Sequence, residues 1–146
     1  MAILQSGYTD ASRTNASSRS TRLYRDIALS FERNAATKDV IVKKDVDAVK
    51  QSIKSLILTD KMERPFQPTI GCDIRKSLFE NFTPQTIMVA KQRIGETIEQ
   101  YEPRCNIIDI KASPSPDNNS LEISLIFSVI NTDEAEELSL VLERVR

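Results

Sequence analysis

The chain reads as an α+β domain in which amphipathic helices pack on one face of a small antiparallel sheet of about three strands. Apolar residues recur at spacings of three and four in Lys44–Thr59 and again in Thr83–Tyr101, the period of a helix with one buried side. Leu121, Ile123, Leu125, Phe127 and Val129 alternate strictly, the period of a strand with one buried face. Between the second helix and the strands stands Glu102-Pro103-Arg104, where proline has no amide hydrogen and pushes the residue before it out of the helical region.

Composition narrows the function. With 146 residues, 40% hydrophobic and 28% charged, the chain has enough material for one ordinary core. A net charge of -1 and a pI near 5.6 provide no whole-chain attraction to nucleic acid or to an anionic membrane. Two cysteines, Cys72 and Cys105, are too few for a disulfide framework and lack a zinc spacing, which fits a reducing compartment; whether they approach one another is open. No signal-peptide core or membrane-length apolar run is present. The absence of histidine and tryptophan removes the usual general base, the commonest metal ligand and the best stacking residue, so no cofactor or metal is predicted.

Taken in order, residues 1–23 form a polar arm rich in Ser, Thr, Asn and Arg, too poor in apolar area to order itself, and residues 24–146 form the folded domain. In Tyr24–Asn34, Ile27, Leu29 and Phe31 alternate with Ala28, Ser30 and Glu32, predicting extended chain with one side buried; Asn34–Asp39 is then a turn. Lys44–Thr59 carries Val46, Val49, Ile53, Leu56 and Ile57 on one helical face, Asp45 at the cap position, and Asp47, Lys50, Gln51 and Lys54 on the solvent side. Asp60–Gly71 is a loop with Pro65 and Pro68, and a short helix from Asp73, lined by Ile74, Leu78 and Phe82, runs to about Asn81.

Thr83 and Pro84 begin the second long helix, a hydroxyl cap followed by proline where its missing donor costs nothing. Ile87, Ala90, Ile94, Ile98 and Tyr101 mark its buried stripe, and Gly95 within it is either a close backbone approach or a tolerated glycine. Ile108, Ile110 and Ala112 predict a strand, Pro114–Asn119 a turn, and Leu121–Val129 its hairpin partner. After an acidic connection at Asp133–Glu137, Leu138, Leu140 and Leu142 predict a last strand, with a helical tail as the competing reading.

At the proline corner, Glu102 sits at the negative end of a helix dipole and needs a cation or donor. In extended chain Glu102 and Arg104 point the same way, so the pair is either a recognition surface or an internal brace. Taken alone, the residues favour an internal salt bridge, reaching to Arg64 and Glu63, that seals the helix end.

The order of short motifs adds to this. A strand at Asp26–Phe31, a helix ending in Ile57-Leu58-Thr59, then Glu63-Arg64-Pro65, Gly71, Leu78-Phe79 and Glu102-Pro103-Arg104 resembles the phage baseplate wedge proteins that act as sheath initiators, with counterparts in type VI secretion baseplates. The chain departs from that pattern at Met62, where the family commonly carries glycine. The resemblance implies a non-enzymatic structural subunit of a contractile tail, assembled in the host cytoplasm and present in multiple copies in a symmetric baseplate. Its partners are other wedge proteins, met at their core bundle, and the tail sheath protein, whose first ring it templates by strand exchange; no nucleic acid and no membrane is involved. It implies a partner-binding set of Glu102, Pro103 and Arg104, with Glu63 and Arg64 mainly bracing their loop, and with Leu138, Leu140 and Leu142 on the strand that meets the sheath.

Two other classes compete. A peptidoglycan hydrolase, matching the lysozyme-like label the family has also carried, needs paired carboxylates, for which Glu63, Glu80 and Glu102 are candidates, but a sugar cleft usually has aromatic platforms and the chain has three tyrosines and no tryptophan. Nucleic-acid binding would use Arg13, Arg19, Arg22 and Arg25, set against Asp10, but no aromatic residues interleave with them as a stacking surface.

Overall fold

The computed structural model describes residues 24–115, 119–130 and 134–144. The arm expected at 1–23, the middle of the turn after Pro114 and Asp133 of the acidic connection lie outside them. The chain divides into two compact units between Asp45 and Val46.

The first unit holds a hairpin. Strand β1 (Arg25–Ile27) pairs antiparallel with β2 (Val42–Lys44), Arg25 opposite Lys44 and Ile27 opposite Val42. The turn expected at Asn34–Asp39 is present: Ala36 N–H donates to Asn34 Oδ1 at 2.9 Å and Lys38 N–H to the Asn34 carbonyl at 2.9 Å. The expected burial does not hold: Ile27, Leu29 and Phe31 are exposed, and of the residues between and after them only Ala28 is buried, Ser30 and Glu32 being exposed too. Strand β1 ends at Ile27, and the Phe31 N–H donates back to the Ala28 carbonyl at 3.0 Å with Phe31 at φ 51°, so the chain turns where a strand would have continued. Lys44 belongs to β2 and not to the helix, and Asp45, at φ 47°, turns its carboxylate to the Tyr24 N–H at 3.4 Å, closing the hairpin.

In the second unit, α1 (Val46–Leu58), the single turn α2 (Ile74–Ser77) and α3 (Pro84–Tyr101) precede β3 (Cys105–Ser115), β4 (Ser120–Val129) and β5 (Ala135–Glu143), which form an antiparallel sheet in the order β3-β4-β5. Val49, Ile53, Leu56 and Ile57 of α1, Ala90, Ile94 and Ile98 of α3, and all five alternating residues of β4 form the core. Thr83 caps α3, its Oγ1 accepting from the Thr86 N–H at 3.2 Å. Gly95 meets only a side-chain methyl of Ile110, 3.7 Å from where its Cβ would stand, so the glycine is a tolerated one.

Three details differ from the sequence reading. Gln51 is buried, because the covered arc of α1 also takes in the small Ala48 and is wider than the stripe of large apolar residues. Helix α2 stops at Ser77, beyond which Leu78, Phe79 and Glu80 continue as turns bonded three residues back. Ile108 is exposed, because the ladder slips between Ile107, opposite Phe127, and Asp109, opposite Ile126; Ile108 is the extra residue of a bulge and leaves the alternation.

Candidate functional site

The proline corner joins α3 to the sheet within five residues. Glu102 ends the helix with its N–H on the Ile98 carbonyl at 2.8 Å, and the Glu102 carbonyl accepts from the Cys105 N–H at 3.3 Å. The Arg104 carbonyl accepts from the Ile130 N–H at 2.9 Å, just past the end of β4. The side chains of Glu102 and Arg104 then meet in a two-pronged ion pair, Nε to Oε1 and Nη2 to Oε2, the latter at 2.7 Å. Of the two alternatives at this corner, the carboxylate takes the inward one: Glu102 is 2% exposed, and the Arg104 side chain is 36% exposed.

Burial alone would raise the Glu102 carboxyl. Hydrogen bonds from Arg104 and Ser52 and the adjacent guanidinium charge outweigh it and hold the group below the ordinary carboxylate range. The buried Cys105 thiol beside it, which reaches the Glu102 carbonyl at 3.4 Å, is pushed up to about 11 by burial and by the Glu102 charge. Pro103 is exposed at the tip. The corner is therefore a fixed cation-bearing turn whose counter-charge lies inside the protein.

Glu63 and Arg64 do not complete that ion pair. Glu63 Oε2 accepts from the Asp60 N–H at 2.9 Å, a brace within its own loop, and Arg64 is exposed. The loop is pinned at several points: Lys61 N–H to Asp73 Oδ1 at 2.9 Å, Met62 N–H to the Pro68 carbonyl at 2.9 Å, and the Tyr101 hydroxyl to the Thr69 carbonyl at 3.1 Å. Met62 (φ 73°) and Phe66 (φ 70°) hold left-handed backbone and expose their side chains. Sequence reading missed Ser52 and Tyr101 as supports, since both contacts link residues remote in the chain and no local pattern announces them.

On β5, Leu140 and Leu142 are buried and Leu138 is half-buried, so these side chains serve the chain's own core. What remains is the strand's edge. Among the described residues β5 pairs only with β4, in continuous register from Ala135 opposite Ser128 to Glu143 opposite Ser120. Arg144 N–H donates to the Asn119 carbonyl at 3.2 Å, so even-numbered residues of β5 turn their backbone groups to β4. Glu137, Ser139, Val141 and Glu143 turn theirs to the open side. The opposite edge, on β3, is interrupted by the Ile108 bulge and by Pro114.

Residues 43–134 match the family model described as baseplate wedge protein gp25. Baseplate wedge protein gp25 of Enterobacteria phage T4 is 35% identical over 122 residues, 83% of this chain and 92% of that protein. A Geobacter sulfurreducens protein provisionally described as a tail lysozyme shares the fold in its crystal structure (TM-score 0.61, 23% identity, 67% of this chain and 89% of that one). So does a chain in the baseplate of the anti-feeding prophage (TM-score 0.59, 22% identity, 81% and 83%). With most of both chains aligned to the T4 protein and the family model spanning α1 through β4, this chain belongs to the baseplate wedge protein gp25 family.

Proposed function

We propose that the chain is a structural, non-enzymatic subunit of a phage-type baseplate that docks on the wedge core through the Glu102-Pro103-Arg104 corner and starts the tail sheath by accepting a strand on β5. Family membership supports the structural baseplate role. The observation that carries the docking half is the corner itself: a buried carboxylate grips the guanidinium in two places, so Arg104 reaches a neighbour already oriented and with little side-chain entropy left to lose. Glu102 acts through Arg104 and does not itself face a partner. For the sheath half, the support is the contrast between the regular open edge of β5 and the interrupted edge of β3.

The direction of the Glu102 shift speaks against a hydrolase. A glycosidase general acid must stay protonated near neutrality, whereas Glu102, the one buried carboxylate among the three candidates, is held ionised. Turnover of purified peptidoglycan that disappears in Glu102→Gln would overturn the structural reading.

Two variants separate the halves. The paired replacement Glu102→Leu with Arg104→Met, which strands no buried charge, is expected to fold and to fail to co-assemble with wedge proteins in pull-down. In Ser139→Pro the lost N–H faces the open edge, so the β4 ladder is intact and wedges form, yet sheath polymerisation does not start. Normal wedge assembly by the first, or normal sheath growth from the second, would refute the corresponding half.

A further inference from the structure

Beside the open edge of β5, between that strand and the segment following α2, lies a cleft of about 350 Å³ lined by Leu58, Leu78, Phe79, Val141 and Leu142 and flanked by Arg75 and Arg144. Its floor is core: Leu78 and Leu142 are buried. Its wall is not, because Phe79 is 63% exposed, and the Arg144 guanidinium stands over its ring, 4.9 Å from the centroid.

The sheet geometry says what fits there. On a strand laid against the open edge, the residue opposite Leu142 points to the same side as Leu142, toward the helices. It enters this cleft and covers Phe79. The inward residue two positions along stands opposite Arg144, and Arg75 also lines the cleft. Two cations in the lining against the one carboxylate of Glu143 favour an acidic side chain.

We infer that the cleft is a specificity pocket for the strand that β5 accepts, selecting an extended partner segment with a large apolar residue opposite Leu142 and a carboxylate two positions away, opposite Arg144. This rests on the strand-accepting role proposed above. It adds a reason for discrimination, since backbone pairing alone takes any extended chain and only side-chain pockets choose among sequences. The occupant completes the core over Phe79 and shifts Arg144 from the ring to its own carboxylate.

The test measures fluorescence anisotropy of the full chain with short labelled peptides of alternating threonine and valine that carry leucine and glutamate two positions apart, in both sequence orders so that either strand direction is sampled. Control peptides replace leucine by serine or glutamate by lysine. Saturable binding of the leucine–glutamate peptide, weakened about tenfold by Phe79→Ala and by each control replacement, is expected. Arg144→Glu should reverse the preference in favour of the lysine peptide, an exchange that loss of fold cannot produce. Ser139→Pro should abolish binding of every peptide. If Ser139→Pro abolishes binding while Phe79→Ala and Arg144→Glu bind all peptides like the unaltered chain, strand acceptance stands and the pocket is overturned. Absence of saturable binding in the unaltered chain overturns both, and unchanged binding by Ser139→Pro overturns the paired-strand geometry.

Discussion

Replacing Arg104 by alanine leaves at the corner a carboxylate that is 2% exposed and has lost its cation. Breaking a buried ion pair from one side costs about 3–5 kcal/mol, because the remaining charge is uncompensated. Two features reduce this: the Arg104 side chain is 36% exposed, so water reaches the vacated position, and Ser52 still donates to the carboxylate. A loss of about 2–3 kcal/mol follows. For a chain of this size that lowers Tm by roughly 4–12 °C, read by calorimetry at neutral pH. The pH dependence is an independent check. The folded Glu102 pKa is depressed, so its stabilising contribution is complete above the unfolded carboxyl value of about 4.3 and is lost as pH falls through the lower folded value. In Arg104→Ala burial dominates and the carboxyl protonates earlier, so the deficit is largest near neutrality and shrinks in acid. Removing both charges, by Glu102→Leu with Arg104→Met, should return stability to within about 1 kcal/mol of the unaltered chain while leaving wedge docking lost. A deficit below about 0.5 kcal/mol at neutral pH, or one that persists undiminished in acid, would refute the view that Arg104 holds the Glu102 charge.

Gly71→Ala should destabilise by about 3 kcal/mol or more in denaturant titration, since φ is 140° there and a Cβ would stand 2.6 Å from the Asp60 carbonyl carbon. Met62→Gly should raise stability by about 0.5–1 kcal/mol, the relief of left-handed strain exceeding the added chain entropy of glycine; a decrease would show that the methionine side chain makes a stabilising contact. Cys72 and Cys105, both buried with thiol pKa values raised chiefly by burial, should resist iodoacetamide at pH 8 in the native chain and react only on unfolding, as mass spectrometry would record.

Most of the second unit was legible because its signals are local. The cap at Thr83, proline at the first turn, the stripe through Ile98 and the strict alternation of Leu121–Val129 each need only a few neighbouring residues to be read. What failed needed a partner from elsewhere. The alternation at Ile27, Leu29 and Phe31 reads as a strand, but the chain turns after Ile27 through bonds from Ala28 to Ile41 and from Phe31 back to Ala28, and β2 was missed because Val42–Lys44 is three residues long and runs straight into helical periodicity. The bulge at Ile108 is a property of pairing with β4, invisible in β3 alone. At the candidate site, sequence located the corner and named both of its charges, but the inward turn of the Glu102 carboxylate depends on Ser52, fifty residues away in the chain, and on the depth of the core. The resemblance placed glycine at position 62, and the left-handed φ of Met62 shows the physical reason glycine suits that turn.

The bonding at residues 102–105 also has a mechanical result. Helix α3, about 27 Å long from its 18 residues, runs into the sheet through a joint locked on both sides by main-chain bonds and across its middle by two guanidinium contacts. Such a joint has no slack, so a torque on the helix arrives at the strands as rotation of one solid lever. A subunit built into a baseplate gains from parts that convey load without yielding.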